Sequence, residues 1–409
     1  MEEQLALFPA VVIEGARQVG KSALASLLSE YRTTVTFNLD NPAALDAARF
    51  DPIAFVAQGG DNLMVIDEIQ RFPELKLALK ENIDRNRRPG RFLLMRSSSL
   101  FQVKGLTDSL AGRAGRLELF GFSQGETQGQ IDDFCTAILD ALEAEWRPIL
   151  SFRSSLARSD YALLVAAGSY PPTFGFNARS RSLWLDAYLK GVANRDLGEL
   201  NRKYEPARAQ ALLHSLAGKQ SALLNKAKLA RSVNVSPTTV TTYLDLFEAV
   251  GLYARIPPWT PNLSKRETAS PKGLLLDSGL AARLARVTAA QLSNLLLGEA
   301  LGGFLEAFVC AELLKQQSWS QSDYTIFHYR ADTHTEVDLL LELENGDVIG
   351  IEVKASTTYR GEDFNGLRRL RDKLGRRFRV GIVLNTAPTG YRYGEKLYGL
   401  PVSALWQGF

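Results

Sequence analysis

The chain has 409 residues, of which 45% are hydrophobic and 23% are charged, and its formal net charge is +3 at pH 7. This composition is ordinary for a globular protein of two or three domains, and the net charge is too small to indicate nucleic-acid binding by itself. The two cysteines, Cys135 and Cys310, exclude a disulfide scaffold and a cysteine-rich zinc site. Because no signal-peptide pattern and no bilayer-spanning apolar stretch is present, we expect a cytoplasmic protein without a membrane segment.

The first predicted strand leads directly into a phosphate-binding loop. Apolar residues 11–13 precede a segment with the spacing G-x-x-x-x-G-K-S, which reads Gly15-Ala16-Arg17-Gln18-Val19-Gly20-Lys21-Ser22. The backbone N–H groups of such a loop, together with the N-terminus of the helix predicted over residues 23–30, form a cradle for phosphate. We expect Lys21 to reach the β- and γ-phosphates of a nucleotide and the Ser22 hydroxyl to bind Mg²⁺.

A second buried strand ends in two acids. Residues 63–66 are apolar and are followed by Asp67 and Glu68. Ligands bind beyond the carboxyl ends of the strands in open parallel sheets, so we expect Asp67 to hold Mg²⁺ and Glu68 to polarise the attacking water. Solvated acids at a strand end are common, but the preceding phosphate-binding loop favours the catalytic interpretation.

Polar residues follow the third predicted strand, residues 91–95. Ser97 could contact the γ-phosphate or the attacking water, although serines after a strand are usually turn formers. Further along, the guanidinium of Arg113 or Arg116 could stabilise transition-state charge, in trans if the chain assembles. A solvated basic loop is an equally good interpretation of these two arginines.

The pattern then changes from alternating strands and helices to helices alone. Residues 1–125 predict a parallel α/β domain, and residues 126–205 predict a helical region. Residues 206–258 predict a winged helix-turn-helix, whose second helix follows Ser236-Pro237 and would enter a major groove. That helix carries no Arg or Lys, so DNA binding and a protein–protein module both stay open.

The remaining residues, 259–409, contain a third group of candidate site residues. Two apolar strands flank Asn345-Gly346, a strong hairpin signal. Glu352 and Lys354 share one face of the second strand, and Asp338 lies across the hairpin from them. With Glu306 from a predicted helix, they could form a nuclease-type site in which Asp338 and Glu352 hold Mg²⁺. A salt-bridged hairpin is the alternative.

The whole chain resembles the prokaryotic ATP-binding proteins that pair an AAA+ ATPase domain (AAA_14) with a C-terminal domain of unknown function, DUF4143. The residues that carry this resemblance are spread over the full length, in segments 15–22, 66–74, 110–113, 195–196, 270–272, 276–280, 336–338 and 351–354. It implies an α/β architecture with a P-loop AAA+ parallel-sheet core, a winged-helix middle region and a C-terminal domain with a PD-(D/E)xK restriction-endonuclease-like fold.

The resemblance also implies roles for individual residues. Lys21 and Ser22 become the Walker A residues, Asp67 and Glu68 the Walker B pair, and Arg113 the arginine finger. The nuclease signature falls on Asp338, Glu352 and Lys354, with Glu306 as the helical acid. One departure is that the family usually has Thr-Gly-Ser where this chain has Met95-Arg96-Ser97. That difference puts the sensor function, and so the hydrolysis rate, in doubt.

These observations lead to one main hypothesis. We predict a Mg²⁺-dependent ATPase that binds ATP, forms a homo-oligomer, and uses its nucleotide state to control a C-terminal effector associated with double-stranded DNA. The first alternative is a metal-dependent DNA nuclease to which ATP binding regulates access. The second is a slow nucleotide switch with a degenerate nuclease-like domain.

Overall fold

The computed structural model describes residues 1–96, 110–200, 204–261, 270–294, 299–332 and 335–408. Ser97, the candidate sensor residue, lies outside these ranges. The chain divides into two compact units. Unit 1 consists of Met1–Gly121, Asp196–Arg202 and Asp245–Leu252, and unit 2 consists of Phe122–Arg195, Lys203–Leu244 and Tyr253–Phe409.

Unit 1 is built on a five-stranded sheet in which every pair of neighbouring strands is parallel. Its strands are β1 (Ala10–Glu14), β2 (Thr34–Asn38), β3 (Leu63–Asp67), β4 (Phe92–Met95) and β5 (Ala114–Glu118). They are arranged in the order β2-β3-β4-β1-β5, so the strands that end in the phosphate-binding loop and in Asp67 lie on either side of β4. The predicted parallel α/β fold is confirmed.

Helices cover both faces of this sheet. They are α1 (Glu2–Leu7), α2 (Lys21–Ser29), α3 (Pro42–Phe50), α4 (Pro52–Ala57) and α5 (Leu75–Arg85). Alternate residues of a strand point to opposite faces, so Val11 and Ile13 pack with α2 while Ala10 and Val12 pack in the cluster that holds α3 to α5. Burial on both faces explains why the central strands are apolar throughout.

Unit 2 contains a six-stranded mixed sheet with the order β13-β14-β12-β11-β10-β9. Its strands are β9 (Tyr324–Asp332), β10 (Thr335–Leu343), β11 (Val348–Val353), β12 (Phe378–Asn385), β13 (Tyr391–Gly394) and β14 (Leu397–Pro401). The predicted hairpin is confirmed, because β10 and β11 are antiparallel and Gly346 adopts a φ of +80° in the turn between them. A helix, Asn365–Leu374, connects β11 to the parallel β12.

The rest of unit 2 is mostly helical. Continuing in chain order, the helices between the two large sheets are α6 (Gln124–Thr127), α7 (Phe134–Glu143), α8 (Arg147–Ser151), α9 (Arg158–Ala167), α10 (Ala178–Gly191), α11 (Leu197–Leu200), α12 (Pro206–Ala217), α13 (Lys226–Ser232), α14 (Pro237–Ala249), α15 (Ser278–Ala285), α16 (Ala289–Ser293) and α17 (Glu299–Gln316). The helix after β11 is α18, and α19 spans Ala404–Gln407. Of these, α11 and the end of α14 belong to unit 1.

A small antiparallel sheet accompanies α12, α13 and α14. It has the order β6-β8-β7, with β6 at Ala222–Leu223, β7 at Tyr253–Ile256 and β8 at Lys272–Leu275. Three helices with a three-stranded sheet are the elements that a winged helix needs, but that assignment and the domain boundaries remain predictions. Within the ranges given above, no helix is both long enough and apolar enough to cross a membrane.

Candidate functional site

The phosphate-binding loop joins the end of β1 to the start of α2 and depends on its two glycines. Gly15 has a φ of +155°, and a Cβ atom there would lie 2.1 Å from the carbonyl oxygen of Leu119. Gly20 has a φ of +106° and caps the N-terminus of α2. Gly15 therefore has to be glycine because its backbone approaches Leu119 closely and has a positive φ. Gly20 has to be glycine because of its positive φ.

Lys21 is folded onto the loop that precedes it. Its side chain is 7% exposed, and Nζ donates hydrogen bonds to the carbonyl oxygens of Gly15 at 3.0 Å and Ala16 at 2.8 Å. Burial lowers the pKa of Lys21 to about 8, although the nearby carboxylates of Glu68 and Asp67 partly oppose this shift. The ammonium thus lies inside the loop, where a nucleotide phosphate would restore its favoured charged form.

The structure brings together the two residues predicted to bind Mg²⁺. Ser22 Oγ donates to Asp67 Oδ2 at 3.2 Å, and Asp67 Oδ1 accepts the backbone N–H of Glu68 at 2.9 Å. A hydroxyl beside a carboxylate is a donor set that suits Mg²⁺, so these residues fit the metal that a P-loop nucleotide carries. Glu68 has a φ of +54°, uncommon for a residue other than glycine, and its Oε2 accepts a hydrogen bond from Gln70.

Two contacts of the loop were not predicted from the sequence. Arg17 Nε lies 2.7 Å from Asp196 Oδ1, and the Asp196 side chain is 8% exposed. Gly251, with a φ of +71°, packs so closely that a Cβ atom there would lie 2.9 Å from the backbone nitrogen of Ala16. In the sequence, Asp196 is distinguished only by its place in the Arg195-Asp196 segment of the family resemblance. Gly251 is distinguished only as the residue that ends a predicted helix.

The unusual residue after β4 has a partner directly below the loop. Arg96 is 2% exposed, and its Nη2 lies 2.7 Å from Oε1 of Glu14, the last residue of β1. Its backbone N–H also donates to the carbonyl of Ile13 at 3.2 Å. In place of the glycine expected from the family resemblance, Arg96 therefore forms a buried ion pair between two neighbouring strand ends.

The structure does not bring Arg113 to the phosphate-binding loop of its own chain. Nε and Nη2 donate to the two carboxylate oxygens of Asp84, at 2.8 and 3.0 Å. The next residue, Ala114, pairs with Ala10 at the start of β1, whereas the loop follows the other end of that strand. At about 3.3 Å per residue, the two ends are separated by roughly 13 Å. A finger role in trans remains a prediction.

The C-terminal candidate residues do converge. Asp338 lies at a bulge of β10, where its pairing with β9 shifts register, and Asp338 Oδ2 accepts the backbone N–H of Val353 at 2.9 Å. Lys354 Nζ lies 2.5 Å from Glu352 Oε1. Glu306 reaches the same cluster from α17, because both it and Asp338 contact Lys272.

Lys272 is the residue of this cluster that sequence reasoning missed. Its Nζ lies 2.8 Å from Glu306 Oε1, 3.0 Å from Glu336 Oε1 and 3.3 Å from Asp338 Oδ1. Burial would lower the pKa of Lys272, but the carboxylates of Asp338 and Glu306 outweigh it and raise the pKa above its usual value. In the sequence, Lys272 is distinguished only because it belongs to segment 270–272, one of the segments that carry the family resemblance.

Two acids of the cluster, Glu306 and Glu352, have pKa values shifted in the direction that disfavours their charged forms. Burial, and next the charge of Asp338, raise the pKa of Glu306 and of Glu352. Across the part of the chain that the structure describes, no group of three or more His, Cys, Asp or Glu side chains has the geometry to hold a metal ion. The metal role of Asp338 and Glu352 therefore stays a prediction without geometric support.

Comparison with known proteins gives matches along most of the chain. Residues 7–128 match the model of an AAA domain (AAA_14), residues 158–291 a domain of unknown function (DUF8612), and residues 301–405 a domain of unknown function (DUF4143). Uncharacterized proteins of Mycobacterium bovis and Mycobacterium tuberculosis are each 30% identical over 353 residues, or 86% of this chain and 71% of theirs. A Walker-type ATPase of Pyrococcus abyssi aligns with a TM-score of 0.40 and 13% identity, over 69% of this chain and 93% of its own.

Proposed function

The chain belongs to the family that joins an AAA domain to a C-terminal DUF4143 domain, and we propose that it is a Mg²⁺-dependent ATP hydrolase. The observation that carries this proposal is the 3.2 Å contact between Ser22 Oγ and Asp67 Oδ2, beside a loop that already encloses the Lys21 ammonium. Metal-binding oxygens and a phosphate-binding cation are therefore adjacent, at the carboxyl ends of parallel strands.

Each residue has a distinct part in the reaction. The loop N–H groups and Lys21 bind the β- and γ-phosphates, and Ser22 and Asp67 hold the metal ion. When bound, Mg²⁺ neutralises the charge that the phosphates carry. Glu68 orients the attacking water through its carboxylate, whose position is set by the hydrogen bond from Gln70 and by the left-handed backbone at Glu68.

Two variants separate binding from hydrolysis. Glu68→Gln keeps the phosphate cradle and the metal ligands, so we expect nucleotide binding near the wild-type level and phosphate release at least about a hundredfold slower. Lys21→Ala should lose ATP binding. Glu74→Gln, an exposed acid outside the site, is the control and should match the wild type. Wild-type phosphate release no faster than that of Glu68→Gln would contradict hydrolysis and favour a slow nucleotide switch.

We also propose that nucleotide state controls an effector half that binds double-stranded DNA. The exposed side chains of Thr238 and Thr242 on α14 lie near the start of that helix, and the neighbouring α13 carries the exposed cations Lys228 and Arg231. Because α14 has no Lys or Arg, these two cations of α13 would make the contacts with the DNA phosphates.

This DNA proposal has a charge-matched test. We expect Lys228→Gln/Arg231→Gln to weaken binding of a short duplex about tenfold and to reduce its salt dependence. Lys80→Gln/Lys219→Gln removes two exposed charges elsewhere and should have no effect. Anisotropy titrations with and without ATP measure both the affinity and its control by nucleotide. Equal affinities for the two double variants would contradict the assigned surface.

A further inference from the structure

We infer that the ammonium of Lys272 is the resident cation of the C-terminal acid cluster and stands where a nuclease-like site would hold a divalent metal. The domain is therefore not a metal-dependent nuclease in the wild-type chain. This inference does not depend on ATP hydrolysis in unit 1, because all the residues that carry it lie in unit 2.

The Lys272 ammonium lies close to three carboxylates. An ammonium group has three N–H donors and no acceptor. Three carboxylates, those of Glu306, Glu336 and Asp338, lie within 3.3 Å of Nζ. Two of these contacts, to Glu306 and Asp338, are hydrogen bonds, and the Glu336 carboxylate adds a negative charge at 3.0 Å, so the buried ammonium is surrounded by acidic oxygens.

The backbone of Lys272 is fixed between two other strands. It is the first residue of β8, the central strand of the small sheet, where it pairs with Leu223 on one side and Ile256 on the other. The side chain is 3% exposed. Withdrawing the ammonium to admit a metal would leave a buried lysine without its carboxylates, because the strand cannot move away without breaking both pairings.

The two predicted metal ligands are largely occupied by other groups. Asp338 uses Oδ1 for Lys272 and Oδ2 for the backbone N–H of Val353. Glu352 uses Oε1 for Lys354, and its buried Oε2 has no hydrogen-bond partner. Three of the four carboxylate oxygens of Asp338 and Glu352 are thus already in contact with another group.

Cations already face the acids of the cluster without a metal. The acids are Glu306, Glu336, Asp338 and Glu352, and the cations that face them are Lys272, Lys354 and Arg330, whose Nη1 lies 3.8 Å from Glu336 Oε2. A divalent ion added to this set would meet the Lys272 ammonium at close range and be repelled by it.

The test uses the full chain without nucleotide, in an Asp67→Asn background that removes the metal ligand of unit 1. Mn²⁺ binding is followed by electron paramagnetic resonance and by thermal unfolding. In the protein that keeps Lys272, we expect no Mn²⁺ site that depends on Asp338. Asp338→Asn should therefore not change the amount of Mn²⁺ bound by that protein. Lys272→Ala should be less stable than its parent, gain one Mn²⁺ site per chain, and recover several degrees of melting temperature when Mn²⁺ is added.

The double variant Lys272→Ala/Asp338→Asn is the control and should lose the new Mn²⁺ site. The inference fails if the Lys272-containing protein binds Mn²⁺, or cleaves DNA with Mn²⁺, in a way that Asp338→Asn abolishes. It also fails if Lys272→Ala folds and binds no Mn²⁺, because the ammonium would then not stand in a metal's position. If Lys272→Ala does not fold, the measurement on the Lys272-containing protein decides alone.

Discussion

Arg96 forms a buried ion pair with Glu14, with Nη2 2.7 Å from Oε1, at the point where β4 and β1 end beneath the phosphate-binding loop. Glu14 immediately precedes Gly15, so the pair fixes the residue from which the loop departs. The ion pair shows what Arg96 does in place of the glycine that the family resemblance led us to expect. It ties the end of β4, which Arg96 directly follows, to the strand that carries the loop.

We predict that Arg96→Gly lowers the free energy of unfolding by about 2–3 kcal/mol, because it leaves the Glu14 carboxylate half-buried without its cation. Arg96→Gly/Glu14→Gln should recover part of that loss, since no charge is then left unpaired. Urea unfolding of the wild type, both single variants and the double variant completes a mutant cycle. Strictly additive effects would show that the two side chains do not interact.

Gly251 gives a prediction that links stability to nucleotide binding. Gly251→Ala would place a Cβ atom 2.9 Å from the Ala16 nitrogen and would also strain a backbone with a φ of +71°. Gly60→Ala is the matched control, because Gly60 has a φ of +55° but open space around it. We expect Gly251→Ala to cost about 1–3 kcal/mol more than the control and to weaken ATP binding. Equal unfolding curves and equal ATP affinities for the two variants would contradict this packing.

The lowered pKa of Lys21 predicts how ATP affinity depends on pH. Its pKa is about 8 in the free protein, and bound phosphates should raise it, so ATP binding takes up a proton above pH 8. Affinity is then constant below pH 8 and falls about tenfold per pH unit above it. Calorimetry at pH 7 and pH 9, in buffers of different ionisation enthalpy, measures the proton uptake.

Lys21→Arg is the control for this pH dependence, because a guanidinium stays charged over the whole range. Whatever affinity this variant retains should not change between pH 7 and pH 9. A wild-type affinity that is equally independent of pH over this interval would mean that Lys21 is already fully protonated in the free protein.

Arg113 can serve as a finger only for a second copy, because it lies at the opposite end of β1 from its own loop. We predict that ATP promotes self-association, and that Arg113→Ala binds ATP normally but hydrolyses it at least about tenfold more slowly. Mixing Arg113→Ala with Lys21→Ala should restore part of the activity, because each chain supplies what the other lacks. Light scattering with and without ATP measures the assembly.

Arg113→Ala also removes the ion pair that Arg113 makes with Asp84 in its own chain. The effect of losing that ion pair must therefore be measured separately. Asp84→Asn breaks the same ion pair while leaving the arginine in place. We expect this variant to keep its hydrolysis rate. A monomer under all conditions, or equal losses for Arg113→Ala and Asp84→Asn, would assign Arg113 a structural role only.

Local motifs in the sequence led to the prediction of a nucleotide site, and the structure places Ser22 beside Asp67 as that prediction requires. The loop that holds Lys21 and the acid pair Asp67-Glu68 at the end of β3 each occupy a few consecutive residues, and the chemistry proposed for them follows from their spacing. The strand alternation of residues 1–125 predicted the sheet in the same way, because the two faces of a parallel strand are both buried.

Contacts between distant residues could not be predicted in this way. Asp196 meets Arg17 from far along the chain, and nothing in the sequence around Asp196 marks it as a partner. Lys272 has neighbours on α17 and β10, yet in the sequence it is one lysine before a short apolar run. The Lys272 ammonium reaches the acid cluster only because tertiary packing brings α17 and β10 beside β8. Periodicity and motif spacing therefore could not predict its position.

The make-up of unit 1 also determines when this protein can finish folding. Its sheet is complete by Glu118, but Asp196–Arg202 and Asp245–Leu252 belong to the same unit, and each supplies a contact of the phosphate-binding loop. On the ribosome, the loop therefore emerges long before the residues that pack against it. A chain released after residue 121 would lack Asp196 and Gly251, so the nucleotide-binding unit cannot be excised as one continuous fragment.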